Sequence, residues 1–168
     1  MVVSAVTSNS KLAVTLPSDR EIALTRDFNA PRHLVFEAWT KREHILQWWA
    51  GCDDNTLAVC EMDFRTGGDW RFVVRTSGGQ EFLFTGVYRE IVAPERLVYT
   101  QVFHGVPGAL IEALVTVTFE DLGGRTRLKA TFLHATKEAR DTHLESGIET
   151  GVSSSFDRLE QIVQGLCS

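Results

Sequence analysis

The sequence predicts an α+β fold: an antiparallel sheet, dry on one face, covered by a long C-terminal helix, with two short helices after the first main strand. Three observations carry this. Six stretches between Leu57 and His134 alternate apolar and polar residues and are separated by short turns. Residues 137–166 contain no proline and repeat apolar residues every three or four positions. The chain has 168 residues, 43% of them hydrophobic, which suits one domain with a core of its own. Residues 1–10 read as a loose tail, and residues 11–168 as that domain.

Taken in order, Leu12, Val14 and Leu16 alternate with small or polar neighbours and predict a short strand, broken by Pro17-Ser18-Asp19. A second extended segment carries Ile22 and Leu24 up to Phe28. Pro31 then suits a first helical turn, where a missing N–H costs nothing. Leu34, Val35, Ala38 and Trp39 follow at helical spacing. Thr40-Lys41-Arg42-Glu43 has the form of a capping box, so residues 31–49 read as a pair of short helices.

Strands are predicted over residues 57–65, 69–76, 81–91, 96–104, 110–120 and 125–134. Connections this short join antiparallel neighbours, because parallel crossovers need a dozen or more residues. Alternation puts Trp70, Phe72 and Val74 on one face and Arg71 and Arg75 on the other. Phe82, Phe84 and Tyr88, Val115, Val117 and Phe119, and Leu128, Ala130 and Phe132 extend the apolar face. An antiparallel sheet with one solvated face has this pattern. Leu144, Ile148, Val152, Ser155, Leu159, Ile162 and Leu166 mark the stripe of the helix that covers it. Gly147, Gly151 and Ser153-Ser154-Ser155 interrupt that helix with poor helix formers, for close packing on the sheet or for space above it.

Seventeen basic against 22 acidic residues give a net charge of −5, with no footprint for nucleic acid or an anionic membrane. No apolar run reaches membrane-spanning length. Cys52, Cys60 and Cys167, an odd set with no C-x-x-C pair, fit a reducing cytoplasm. Glu61 and Asp63 share a strand face, as paired carboxylates can. A cross-strand ladder with Arg71 and Arg75 accounts for all four without catalysis. His33, His44, His104, His134 and His143 show no metal-ligand spacing and read as surface or cap residues. His134 is the exception, since its parity with Phe132 puts it on the inner face. No nucleophile elbow or phosphate loop is present, and nothing calls for a cofactor or a metal.

The stretch from Arg26 to Thr40 resembles the START-like, or SRPBCC, superfamily. So do Gln47-Trp48-Trp49, Gly67-Gly68-Asp69-Trp70-Arg71-Phe72, the segment from Gly86 to Val92, the segment from Pro94 to Thr100, and Val117-Thr118-Phe119-Glu120-Asp121. Within the superfamily the chain is similar to the family of homologues of the activator of the heat-shock-protein-90 ATPase. The resemblance implies a helix-grip fold, in which a curved sheet wraps the C-terminal helix and encloses a cavity for an apolar molecule. Ala50-Gly51 stands where the family commonly has Gly-Pro, and Ile148 where an aromatic often follows the glycine. Both fall at the expected mouth or lining, so no family ligand is carried over.

The expected cavity residues are Trp39, Trp48, Trp49, Trp70, Phe72, Phe84, Tyr88, Val117, Phe132, His134, Gly147, Ile148 and Gly151. The leading expectation is a cytoplasmic binding protein for a small hydrophobic ligand. A chaperone-interacting regulator and a cofactor-free cyclase or hydrolase are the alternatives, and a homodimer is open.

Overall fold

The structure is a computed structural model that describes residues 11–51 and 54–167. The expected tail, Cys52 and Asp53 lie outside the described residues. Strands β1 (Ala13–Thr15) and β2 (Glu21–Phe28) pair as a hairpin, and α1 (Arg32–Thr40) and α2 (Arg42–Trp48) follow. Then come β3 (Thr56–Met62), β4 (Asp69–Arg75), β5 (Glu81–Val92), β6 (Arg96–Val106), β7 (Ala109–Asp121) and β8 (Thr126–His134). Among the described residues these form one antiparallel sheet in the order β1-β2-β8-β7-β6-β5-β4-β3. The six-strand meander is as predicted, and β2 closes on its far edge, pairing with β8.

The faces follow the alternation. Trp70, Phe72 and Val74 are buried, while Arg71 and Arg75 are exposed. Register breaks at Leu57/Val59, Tyr88/Glu90 and Phe103/Val106 kink three strand pairs. Such irregularities bend and twist a sheet locally, which lets this one curve around its helix. On the wet face, Glu61 opposes Arg71 at 3.6 Å, as the ladder requires. The rest of the ladder does not form: Arg75 turns to Glu81 at 2.6 Å and Asp63 to Arg65 at 2.8 Å. Those partners are nearer along the chain or across the β4–β5 pair, and all are exposed.

Two helical expectations are corrected. The capping box does not form, because α1 runs through Thr40 and its hydroxyl donates to the Phe36 carbonyl at 2.8 Å. Lys41, without a side-chain cap bond, is the N-cap of α2. The long C-terminal helix is present as α4 (Ile148–Cys167), but the residues before it, expected to belong to it from 137 onward, form a separate helix, α3 (Lys137–Glu145). Gly147 separates them with φ of 91°, a left-handed conformation that ends helices and that glycine adopts without a Cβ clash. The break re-phases the apolar stripe. Arg140 and His143 are buried on α3, whereas Leu144 is only partly so. On α4 the buried residues are Ile148, Ser155, Phe156, Leu159 and Val163.

α4 lies in the concave face of the sheet. Arg26, buried on β2, reaches across to it and bonds Asp157 at 2.6 Å. Beneath α1 and the middle of α4 the core is dense: Phe28, Phe36, Trp39, Trp48, Phe119 and Phe156 contact one another edge-on or tilted. The Trp48 indole N–H donates to the Ala38 carbonyl at 2.9 Å, fastening α2 to α1.

Candidate functional site

Toward the α3–α4 junction the packing opens into a cavity of about 420 Å³. Pockets of roughly 300–1,000 Å³ hold small organic ligands. The sheet contributes inner-face side chains in alternation: Phe82 and Phe84 from β5, Tyr99, Gln101 and Phe103 from β6, Ala130 and Phe132 from β8. The opposite wall is Trp48 and Trp49, the Ala50–Gly51 turn, and His143, Gly147, Ile148, Gly151, Val152 and Ser155. A Cβ built on Gly151 would meet nothing within 4 Å, so this glycine borders open space.

Of the expected cavity residues, Trp39, Trp48, Trp49, Phe84, Phe132, Gly147, Ile148 and Gly151 line this space. Trp70, Phe72 and Tyr88 do not. They sit beyond Trp49, around a void of about 20 Å³. Trp49 is the partition, its ring meeting Phe72 at 4.9 Å on one side and Phe84 at 4.8 Å on the other, both edge-on. Val117 is fully buried in the core under α1, away from the lining. Alternation assigns a residue to the inner face, but its place along the strand decides whether a helix or a gap lies above it.

His134 is also absent from the lining, yet it holds a residue that is present. Its backbone N–H and its Nδ1 both bond the Arg20 carbonyl, at 2.8 and 3.0 Å, and its Nε2 lies 2.8 Å from Nδ1 of His143. The two rings meet edge to face at 5.0 Å, and Phe132 covers His143 at 5.5 Å. His143 therefore corrects the expectation of a surface or cap residue: it is 4% exposed and forms part of the cavity wall. Desolvation pushes its imidazole down to about 3, reinforced by the adjacent His134. Burial also lowers His134, and the positive charge of Arg140 opposes its protonation, while the Arg20 carbonyl bond works the other way. Both rings are neutral near pH 7.

The other polar side chains of the wall are few. Asn55 donates to the Ala50 carbonyl and Ser146 to that of His143. Gln101 and Ser155, each 7% exposed, have no side-chain hydrogen bond among the described residues. Cys60 is buried on β3, and desolvation pushes its thiol up to about 11, the opposite of what a nucleophile needs. Burial likewise raises the hydroxyls of Tyr88 and Tyr99. Among the described residues no three His, Cys, Asp or Glu side chains gather as a metal site. No described helix is long and apolar enough to cross a membrane.

Solved structures with this architecture are numerous. A protein from Rhodobacter sphaeroides superposes with a TM-score of 0.83 at 22% identity, covering 92% of this chain and 99% of its own. One from Nitrosomonas europaea reaches 0.80 at 22% identity, over 90% and 99% of the two chains. The Activator of Hsp90 ATPase homolog 1-like protein of Aeromonas hydrophila reaches 0.65 at 21% identity, over 86% and 94%. At these identities the likeness concerns the fold. No curated protein sequence matches this one. The family profile described as Activator of Hsp90 ATPase homolog 1-like protein matches residues 29–164, most of the chain, and the helix-grip architecture agrees with it; the chain belongs to this family.

Proposed function

We propose that the protein binds one small apolar or amphipathic molecule in the cavity between α4 and the sheet. The observation that carries this is the open space itself, about 420 Å³ walled mainly by aromatic and aliphatic side chains. Protein interiors pack to a density of about 0.74, and a void of this size forfeits contacts that folding would otherwise gain. A ligand recovers them. Small residues along α4 keep the space open, and the polar groups that border it can orient a ligand by one end. The reading places the protein in the cytoplasm, in keeping with free Cys60 and Cys167.

Titration with N-phenyl-1-naphthylamine, a neutral apolar dye that brightens in dry surroundings, tests the reading. Saturable binding near one dye per chain is expected, with native mass spectrometry of protein from its own host showing a retained small molecule. A wild type that binds no dye and carries no ligand overturns it. The family's description also names activation of a chaperone ATPase, and a pull-down with an Hsp90-type chaperone tests that second reading.

A further inference from the structure

The two buried histidines form a chain whose proton positions follow from their partners. A backbone carbonyl can only accept, so Nδ1 of His134 donates to Arg20 at 3.0 Å. In a neutral ring the other nitrogen is then an acceptor. Nε2 of His134 accordingly accepts from Nδ1 of His143 at 2.8 Å. The same rule applied once more leaves Nε2 of His143 as a bare lone pair. That nitrogen has no partner among the described residues. His143 borders the cavity, and with its Nδ1 taken by His134, Nε2 is the polar ring atom that its side chain can offer a ligand there.

The other polar groups of the wall are mixed: the indole N–H groups of Trp39 and Trp49 only donate, Asn55 Oδ1 only accepts, and Gln101, Ser155 and the Tyr99 hydroxyl do either. The histidine chain is committed as an acceptor, because the Arg20 carbonyl at its far end cannot reverse. An apolar molecule with no donor would bury the His143 lone pair against carbon. One with a donor satisfies it.

We infer that the cavity selects neutral apolar molecules carrying a hydroxyl or N–H group, whose hydrogen is accepted by His143 Nε2. The inference rests on the cavity-binding reading above and deepens it. His143 is the specificity-determining contact, and His134 is a positioning residue that acts through it by fixing its tautomer.

The test uses two probes of nearly equal size, 2-naphthol and 2-methoxynaphthalene, which differ in the donor. Both are titrated calorimetrically near neutral pH into wild type and His143→Phe. Wild type should bind 2-naphthol about three- to tenfold more tightly, the range one hydrogen bond supplies. His143→Phe should bind the two alike. Equal binding by wild type, or a preference that survives in His143→Phe, overturns the inference and leaves the cavity reading standing. If neither naphthalene binds, the inference is overturned, and the N-phenyl-1-naphthylamine titration decides whether the cavity reading goes with it. Nitrogen-15 NMR of wild-type imidazoles keeps the test open should His143→Phe fail to fold. His143 Nε2 should resonate as unprotonated in the free protein and shift with 2-naphthol but not with its ether. A protonated Nε2 overturns the inference.

Discussion

Under α1 and the middle of α4, Phe28, Phe36, Trp39, Trp48, Phe119 and Phe156 pack with ring centroids 4.8–6.3 Å apart. Toward the α3–α4 junction, Phe82, Phe84 and Phe103 lie on the same concave face of the same sheet, and a cavity of about 420 Å³ lies above them. The sheet offers large aromatics in both places. The difference comes from the cover: α4 sets Phe156 into the ring cluster, its edge reaching the cavity, while Gly147 before α4 and Gly151 and Ser155 on it leave the cavity open. Core and cavity are thus decided by what covers the sheet, one or two helical turns apart.

The largest expected effect contrasts a truncation in each region. Phe119→Ala removes a 1% exposed ring packed edge-on against Phe36 and Trp39, outside the cavity lining, and should cost about 3–5 kcal/mol in denaturant unfolding. Phe84→Ala removes a partly exposed ring that already faces space, so it should cost at least about 1 kcal/mol less, since little new void is created. Equal losses would mean that the junction is packed as tightly as the core and that the contrast is false.

That contrast also shows which features a sequence makes legible. Period-two alternation is a strong signal because one slip inverts every side chain, and Trp70, Phe72 and Val74 came out on the buried face. Membership of the cavity depends instead on distant residues. Trp70 and Phe72 differ from Phe84 only in lying on the other side of Trp49, a residue of the α2 end some twenty positions or more away in the chain. His143 was hidden by a different cause. In an unbroken helix Leu144 falls in line with Ile148 and His143 falls beside the stripe. The left-handed Gly147 breaks the helix and turns Arg140 and His143 inward. The visible signal was Gly147 itself, which reads as a helix end as readily as an interior gap.

The second prediction sharpens the difference through pH, because the cavity side alone buries a histidine pair. Each ring carries a folded-state pKa below its ordinary 6.5, His143 near about 3. Between those values the unfolded chain holds more protons than the folded one, so stability is full above 6.5 and falls on acidification. The slope is at most about 1.4 kcal/mol per pH unit for each proton involved. Carboxylates contribute only lower down, where Asp27 and Asp141 titrate below their ordinary values beside Arg127 and Lys137. Denaturant curves between pH 7 and pH 5 should therefore show the loss in wild type and less of it in His143→Leu. A flat wild-type profile would mean that the pair is not buried neutral.

The smallest effect is expected at Gly151, and it bears most directly on the gap. Two glycines of the inner face show the alternatives. At Gly86 a Cβ would strike the Thr100 carbonyl and the Trp70 indole, so that glycine marks close approach. At Gly151 the corresponding direction is empty, although Gly51 of the facing turn comes close to its backbone. A leucine at Gly151 would start in the open space of the cavity, its Cβ meeting no atom within 4 Å. It would also remove a flexible residue from the interior of α4, which favours the helix by up to about 1 kcal/mol. Gly151→Leu should hence melt at or slightly above the wild-type temperature while losing most of its N-phenyl-1-naphthylamine binding. Overpacking would have the opposite signature, a loss of about 1–3 kcal/mol. If the variant is stabilised and still binds the dye as wild type does, the dye sits elsewhere, and the space beside Gly151 is a packing gap without a tenant.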